Sequence, residues 1–298
     1  MDQFNLELAR YGKHTVRVYK VMRNAETGVQ DVCEMTLNVM LEGEIEASWT
    51  HADNTPIVAT DSIKNTVYIL AKEHAVTPPE YFAALIGKHF NTTYPHIHAT
   101  SVSITVHRWT RMVFDGVPHP HSFIRDGEET RTVEARIEEN GPTTITSGIK
   151  GMLVLKSTGS QFHGYVKDEY TTLPETWDRV LSTSVDCTWE WAPFPTFEAV
   201  EANKDFDSAW ESARRITMKT FADEDSASVQ DTTYKMACSI LAAVPGVDGV
   251  RYELPNKHYF EINLSWHKGI KNTGKDAEVY APQWGPSGTI QCYATRKR

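Results

Sequence analysis

Cysteine is sparse in this chain of 298 residues, basic residues are outnumbered, and long apolar runs are missing. The four cysteines, Cys33, Cys187, Cys238 and Cys292, are widely separated and form no C-x-x-C pair, so neither a zinc ribbon nor a dithiol redox centre is indicated. Four free thiols in a reducing compartment are expected. Lys plus Arg total 30 against 39 for Asp plus Glu, a formal charge of -9. That balance argues against nucleic acid or an anionic membrane as the main partner, and any site for an anion must be local. No apolar run approaches the ~18 residues a membrane span needs. The start, Met1-Asp2-Gln3-Phe4-Asn5, lacks the basic and apolar stretches of a secretory signal. An intracellular, soluble protein of two domains is the expectation.

What is present is an alternation that repeats. Val16, Val18 and Val21, then Met35, Leu37, Val39 and Leu41 with polar residues between, read as two strands. Helical spacing follows at Ile63, Val67, Leu70 and Ala71. A second helix is opened by Thr77-Pro78-Pro79-Glu80, read as a capping box, and would bury Phe82, Leu85, Ile86 and Phe90. Strands at Val102–Val106 and Val133–Ile137, on either side of a loop at 115–121, complete the first half. The second half runs in the same order: strands at 145–156 and 185–191, helices carrying Phe206 to Ile216 and Val229 to Leu241, then strands at 250–258 and 290–294. Asn140-Gly141-Pro142 divides the copies, giving domains 1–141 and 142–298. The class is α+β, antiparallel sheets with helices packed on one face, and their edge strands favour oligomerisation into a barrel.

Leu254-Pro255-Asn256-Lys257-His258-Tyr259-Phe260-Glu261-Ile262 is the most informative segment. Pro255 cannot donate to a sheet ladder and suggests a sheet edge. From His258 the alternation with Phe260, Ile262, Leu264 and Trp266 reads as one half-buried strand, with Asn256 and His258 on one side. An amide and an imidazole on a stiff strand suit proton handling on a small polar ligand.

This segment resembles the signature of the urate oxidase (uricase) family. The same resemblance is carried by Tyr11-Gly12-Lys13, Val58-Ala59-Thr60-Asp61-Ser62-Ile63-Lys64-Asn65-Thr66, His119-Pro120-His121-Ser122-Phe123 and Val154-Leu155-Lys156-Ser157-Thr158. Ser160-Gln161-Phe162, Thr176-Trp177-Asp178-Arg179 and Ala227-Ser228-Val229-Gln230 extend it along nearly the whole chain. It implies tandem T-fold (tunnelling fold) domains whose subunits build barrels in a homotetramer. The implied reaction turns urate, dioxygen and water into 5-hydroxyisourate and hydrogen peroxide, a step of purine degradation, with no cofactor and no metal.

The resemblance also assigns roles. Lys13 and Thr60 would form a proton-handling dyad and His258 would exchange protons with it. Arg179 and Gln230 would grip the purine, with Thr60, Asp61 and the backbone of Val229 beside it. Phe162 would stack on its face, and Asn256 would hold dioxygen or water. Lys13, Thr60 and Asp61 lie in the first half and the others in the second, and in the family the two halves come from neighbouring subunits.

Taken singly, these residues have plainer readings. Lys13 reads as a solvated lysine, and Thr60 as a helix cap shared with Asp61 and Ser62. Arg179 reads as an ion-pair partner of Asp178 or Glu175, Gln230 as an exposed helix residue, and Phe162 as core. His96-Ile97-His98 and His119-Pro120-His121 keep a copper oxidase open as a rival. Pterin chemistry on the same fold and a non-catalytic purine-binding module are two more. Eukaryotic members often end in Ser-Lys-Leu; Thr295-Arg296-Lys297-Arg298 does not, which favours the cytoplasm over the peroxisome.

Overall fold

A computed structural model describes residues 4–297; residues 1–3 of the leader reading and Arg298 of the tail reading lie outside them. The strands are β1 (Tyr11–Arg23), β2 (Gln30–Gly43), β3 (Ile97–His107), β4 (Thr110–Phe114), β5 (Val117–Ile124), β6 (Thr130–Glu138), β7 (Thr144–Lys156), β8 (Leu181–Trp191), β9 (Val247–Lys257), β10 (Tyr259–Glu261), β11 (Tyr280–Pro282) and β12 (Thr289–Thr295). The helices are α1 (Ala47–Thr50), α2 (Thr60–Glu73), α3 (Pro79–Thr93), α4 (Phe197–Ala202), α5 (Phe206–Asp223) and α6 (Val229–Ala243). One order occurs twice: two long strands, a short helix, two long helices, a strand, a small two-stranded ribbon and a closing strand. The chain is α+β.

Two compact units are formed. The first comprises Met1–Ile149, Trp189–Trp210 and Gly246–Asp248. Its strands β1, β2, β3 and β6 are joined in that order, each pair antiparallel. Met35, Leu37, Val39 and Leu41 on β2 are fully buried, while the residues between them are half-exposed. Strict alternation gives the sheet one apolar face. Ile63, Val67 and Leu70 from α2, and Phe82, Ile86 and Phe90 from α3, complete the core. Each such side chain removed from water contributes about 1.5–3 kcal/mol.

The second unit comprises Lys150–Thr188, Glu211–Pro245 and Gly249–Arg298. Here β7, β8, β9 and β12 follow one another in the sheet. β12 pairs antiparallel with β9, placing Cys292 opposite Tyr252. Val185, Cys187, Tyr252 and Leu254 are buried with Met236, Ala237 and Ile240 of α6. The Tyr252 hydroxyl is satisfied inside this core by Thr217 Oγ1 at 2.6 Å.

Several sequence expectations are corrected. The loop expected at 115–121 is a hairpin, β4 and β5, turned by Asp115 and Gly116 with φ of 52° and 79°. Two successive left-handed residues make the tight turn whose twist suits a hairpin. The capping box is absent: α3 starts after Pro78 with no side-chain cap. Glu80 is instead fully buried, its carboxylate taking Arg131 Nη2 at 2.7 Å and Ser147 Oγ at 2.6 Å. A buried carboxylate needs a cation, and Arg131 outcompetes the helix end for it. Leu85 is half-buried. β9 lies between β8 and β12 and is not an edge strand. Pro255 is accommodated near the strand's end, where its carbonyl accepts the Thr183 hydroxyl at 3.0 Å. The alternation through Leu264 and Trp266 is not a strand, because residues 265–269 form turns closed by Gly269 N–H to Ser265 carbonyl at 3.1 Å.

Candidate active site

Lys13 is set by an irregularity in β1. Lys13 stands opposite Val39 and Val16 opposite Leu37, so His14 and Thr15 face the single residue Asn38. Thr15 takes a φ of 58°, and its N–H donates to Asn38 Oδ1 at 2.8 Å. Such a bulge re-aims the side chain beside it. Just before it, Gly12 has no room for a Cβ, which would lie 1.8 Å from the Val39 carbonyl oxygen. Lys13 is half-buried.

Thr60 is the first residue of α2 and exposed, and the cap position belongs to Ala59, with no side-chain cap bond. The cap reading of Thr60 therefore does not hold. Asp61 bonds Lys64 Nζ at 2.5 Å and Asn65 Nδ2 at 3.0 Å. Those contacts, chiefly Lys64 and with a smaller contribution from the Lys13 charge, hold its carboxyl below the usual range. Lys13 thus stands within electrostatic reach of the α2 start. Lys13, Thr60 and Asp61 all belong to the first unit.

In the second unit, the segment 158–162 works as a clasp. Gln161 N–H donates to the Ser226 carbonyl at 2.7 Å and Ser226 N–H to that of Gly159 at 2.9 Å. Phe162 and Thr176 exchange both backbone bonds, at 2.8 and 3.0 Å. One side of the clasp therefore holds the approach to α6 and the other holds the approach to Arg179. Asp178 tightens it, accepting from Gly159 N–H at 2.9 Å and Thr158 Oγ1 at 2.8 Å.

The ion-pair reading of Arg179 fails on these bonds. Asp178 is engaged with the clasp, and Glu175 with Lys167 Nζ at 2.8 Å and Gly164 N–H at 2.8 Å. Arg179 is half-buried, has no carboxylate partner among the described residues, and places its guanidinium carbon 5.2 Å from the Phe162 ring centroid. Burial lowers its pKa from the ordinary value. Phe162 is half-buried and stacks on Tyr165 at 4.8 Å. Val229 is buried and opens α6, and Gln230 beside it is exposed. Ser228 caps that helix through Asp231 N–H at 3.2 Å, a terminus whose free N–H groups suit an anion.

Asn256 donates its backbone N–H to Gly288 at 2.8 Å, while its side-chain Oδ1 is buried with no partner. An orphan buried acceptor is costly unless a ligand or water completes it. β9 ends at Lys257, and His258 occupies the step into β10 with its ring stacked 5.9 Å from Phe260. The Thr183–Pro255 bond sets the start of β8, just beyond Arg179, beside the end of β9 that carries Asn256.

The two His-x-His pairs are engaged differently. His96 Nε2 donates to the Pro56 carbonyl at 2.7 Å, and His98 lies between Glu139 at 2.9 Å and Glu44 at 3.4 Å. The rings of His119 and His121 are edge to face at 4.6 Å. Among the described residues, no three His, Cys, Asp or Glu are grouped to hold a metal ion.

The Uricase family profile matches residues 9–136 and 145–291, which include every residue named above as a site candidate. The chain belongs to the uricase family. A uricase of Emericella nidulans is 60% identical over 290 residues, covering 97% of this chain and 96% of that protein. One of Aspergillus flavus is 59% identical over 292 residues, with 98% and 97% covered. The crystal structure of the uricase from Arthrobacter globiformis superposes with a TM-score of 0.88 at 34% identity, covering 99% of this chain and 96% of that one.

Sequence reasoning missed the contacts that hold the candidate residues. Asp178 appeared only as a partner for Arg179, and its contacts to Thr158 and Gly159 cross about twenty positions with no local signal. Tyr11 carried no role, although its hydroxyl receives Val58 N–H at 2.7 Å.

Proposed function

We propose that this uricase-family chain oxidises urate: urate, dioxygen and water become 5-hydroxyisourate and hydrogen peroxide. The observation that carries the reading is Arg179, a half-buried guanidinium free of any carboxylate among the described residues and poised over Phe162. A planar purine anion with carbonyls on its edge matches both groups, since the fork binds two acceptors and the ring accepts the flat face. Gln230 and the Val229 N–H supply further edge contacts, and Asn256 holds dioxygen or water above the ring, its amide N–H able to donate to either and its Oδ1 to accept from a water. The unpartnered Oδ1 supports a water there.

Lys13 and Thr60 take the proton and His258 passes it on. Deprotonation leaves urate electron-rich enough to reduce dioxygen directly, so the protein's work is deprotonation, stacking and placement, without metal or flavin. Asp61 completes the first-half contribution.

The two groups of residues meet, in this reading, across neighbouring subunits of a homotetramer in which domains 1–141 and 142–298 build barrels as tandem T-folds. The exposure of Thr60 and Asp61 supports it. The four free cysteines support a reducing compartment, the cytoplasm. No helix among the described residues is long and apolar enough to cross a membrane.

The test adds urate to chelator-treated protein and follows its ultraviolet absorbance together with oxygen uptake. Loss of urate with one dioxygen consumed per urate is expected. Retained binding without oxygen uptake, or activity that returns only with copper, would contradict the proposal.

A further inference from the structure

The segment 56–60 delivers Thr60 to the start of α2, and two side chains hold it, Tyr11 from β1 and His96 from the turn before β3. Val58 N–H donates to Tyr11 Oη at 2.7 Å, and His96 Nε2 donates to the Pro56 carbonyl at 2.7 Å. Tyr11 precedes Lys13 by two positions on β1, and Val58 precedes Thr60 by two. One hydrogen bond therefore joins the backbones that carry both members of the proposed proton-handling pair, at equal remove from each.

Both ends of this brace are stiff. Between Tyr11 and Lys13, Gly12 lies so close to the Val39 carbonyl that no side chain fits there, and the bulge beyond Lys13 is fixed through Asn38. The Tyr11 ring packs at 6.3 Å from Trp49, and His96 at 6.2 Å from Tyr94. At the other end Val58 is buried, so its N–H has no water to fall back on. Removing the phenol oxygen would leave a buried donor unsatisfied, which the segment can relieve only by moving.

We infer that Tyr11 and His96 are positioning residues for the Lys13–Thr60 pair, holding the threonine hydroxyl at the distance from the lysine that proton transfer requires. The inference rests on the reading of Lys13 and Thr60 as the proton-handling pair. It also gives His96 a role within this family: its imidazole is a clamp on a loop. Proton transfer is steep in donor–acceptor distance, whereas purine binding through Arg179 and Phe162 is not touched by the brace.

The experiment is steady-state kinetics on the assembled full-length enzyme with Tyr11→Phe, His96→Leu, His96→Gln, Thr60→Ala and the double variant Tyr11→Phe/Thr60→Ala. Tyr11→Phe and His96→Leu lower kcat about tenfold or more while the KM for urate stays within about twofold. His96→Gln, which retains an N–H donor, recovers most of the turnover. In the double variant the loss equals that of Thr60→Ala alone, because a brace has nothing left to position. Unchanged kcat in Tyr11→Phe, a loss that multiplies with that of Thr60→Ala, or His96→Gln as slow as His96→Leu overturns the brace. If Thr60→Ala keeps full turnover, the pair itself is wrong and the brace falls with it; a slow Thr60→Ala beside a fast Tyr11→Phe rejects the brace alone. Should Tyr11→Phe fail to assemble, the His96 pair decides.

Discussion

Arg179 lies over the ring of Phe162, its guanidinium carbon 5.2 Å from the centroid, although 17 positions separate the two in sequence. The ladder between Phe162 and Thr176 creates this relationship, and it leaves the guanidinium without a counter-ion because Asp178 is occupied by the clasp. A cation so placed is available to an incoming anion.

Arg179→Ala is therefore expected to act on binding. Loss of a charge-assisted fork raises the KM for urate about 10- to 100-fold with a smaller change in kcat. Arg179→Lys restores only part, since an ammonium cannot bind two acceptors in a plane. Initial-rate measurements over a range of urate decide it, and an unchanged KM would remove Arg179 from the purine.

Lys13→Met and Thr60→Ala should do the opposite. Turnover falls about 10²- to 10⁴-fold, the usual contribution of positioned proton transfer, while urate affinity measured by equilibrium titration barely moves. Equal losses in affinity and turnover would contradict the assignment.

Glu80 makes a stability prediction independent of chemistry. Its carboxylate is fully buried between Arg131 and Ser147, and Ser147 also accepts from Trp191 Nε1 at 2.9 Å. Glu80→Ala leaves the buried Arg131 with Asp207 alone, at 2.6 Å, and is expected to cost about 3–5 kcal/mol in chemical denaturation. A cost below about 1 kcal/mol would mean that the network relaxes freely.

His98 gives a pH dependence. Its hydrogen bond to Glu139, opposed by slight burial and aided by Glu44, raises its pKa above the ordinary 6.5. The stabilisation is therefore fully present below pH 6.5 and is lost as pH rises through the folded-state value. The side chain is 46% exposed, so solvent screening keeps the effect to a fraction of a kcal/mol. Thermal melts of the wild type and His98→Asn should be furthest apart below pH 6.5 and converge as pH rises through the folded-state value; a gap that widens with pH would reverse the sign.

Much of the architecture was legible because it depends on period. β2 alternates from Met35 to Leu41, α2 spaces Ile63, Val67 and Leu70 by a helical turn, and both patterns are decided by which face must leave water. The hairpin at Asp115-Gly116 was missed because turn residues were read as a loop. The false strand through Leu264 and Trp266 arose because alternation by chance looks like alternation by burial: Trp266 stands exposed in a turn, and half-buried Leu264 lies just before it.

By itself the sequence determined the α+β class, the doubled order of elements and the residues that place the chain among the uricases, since each is written in local periodicity or in short motifs. Only the tertiary structure decided which carboxylates those residues would meet. Asp178 turned from Arg179 to Gly159, Glu80 from a helix end to Arg131, and Tyr11 reached across 47 positions to Val58. A polar side chain takes whichever partner folding brings within about 3 Å, and that choice is made by strand register and helix packing over distances no local pattern encodes.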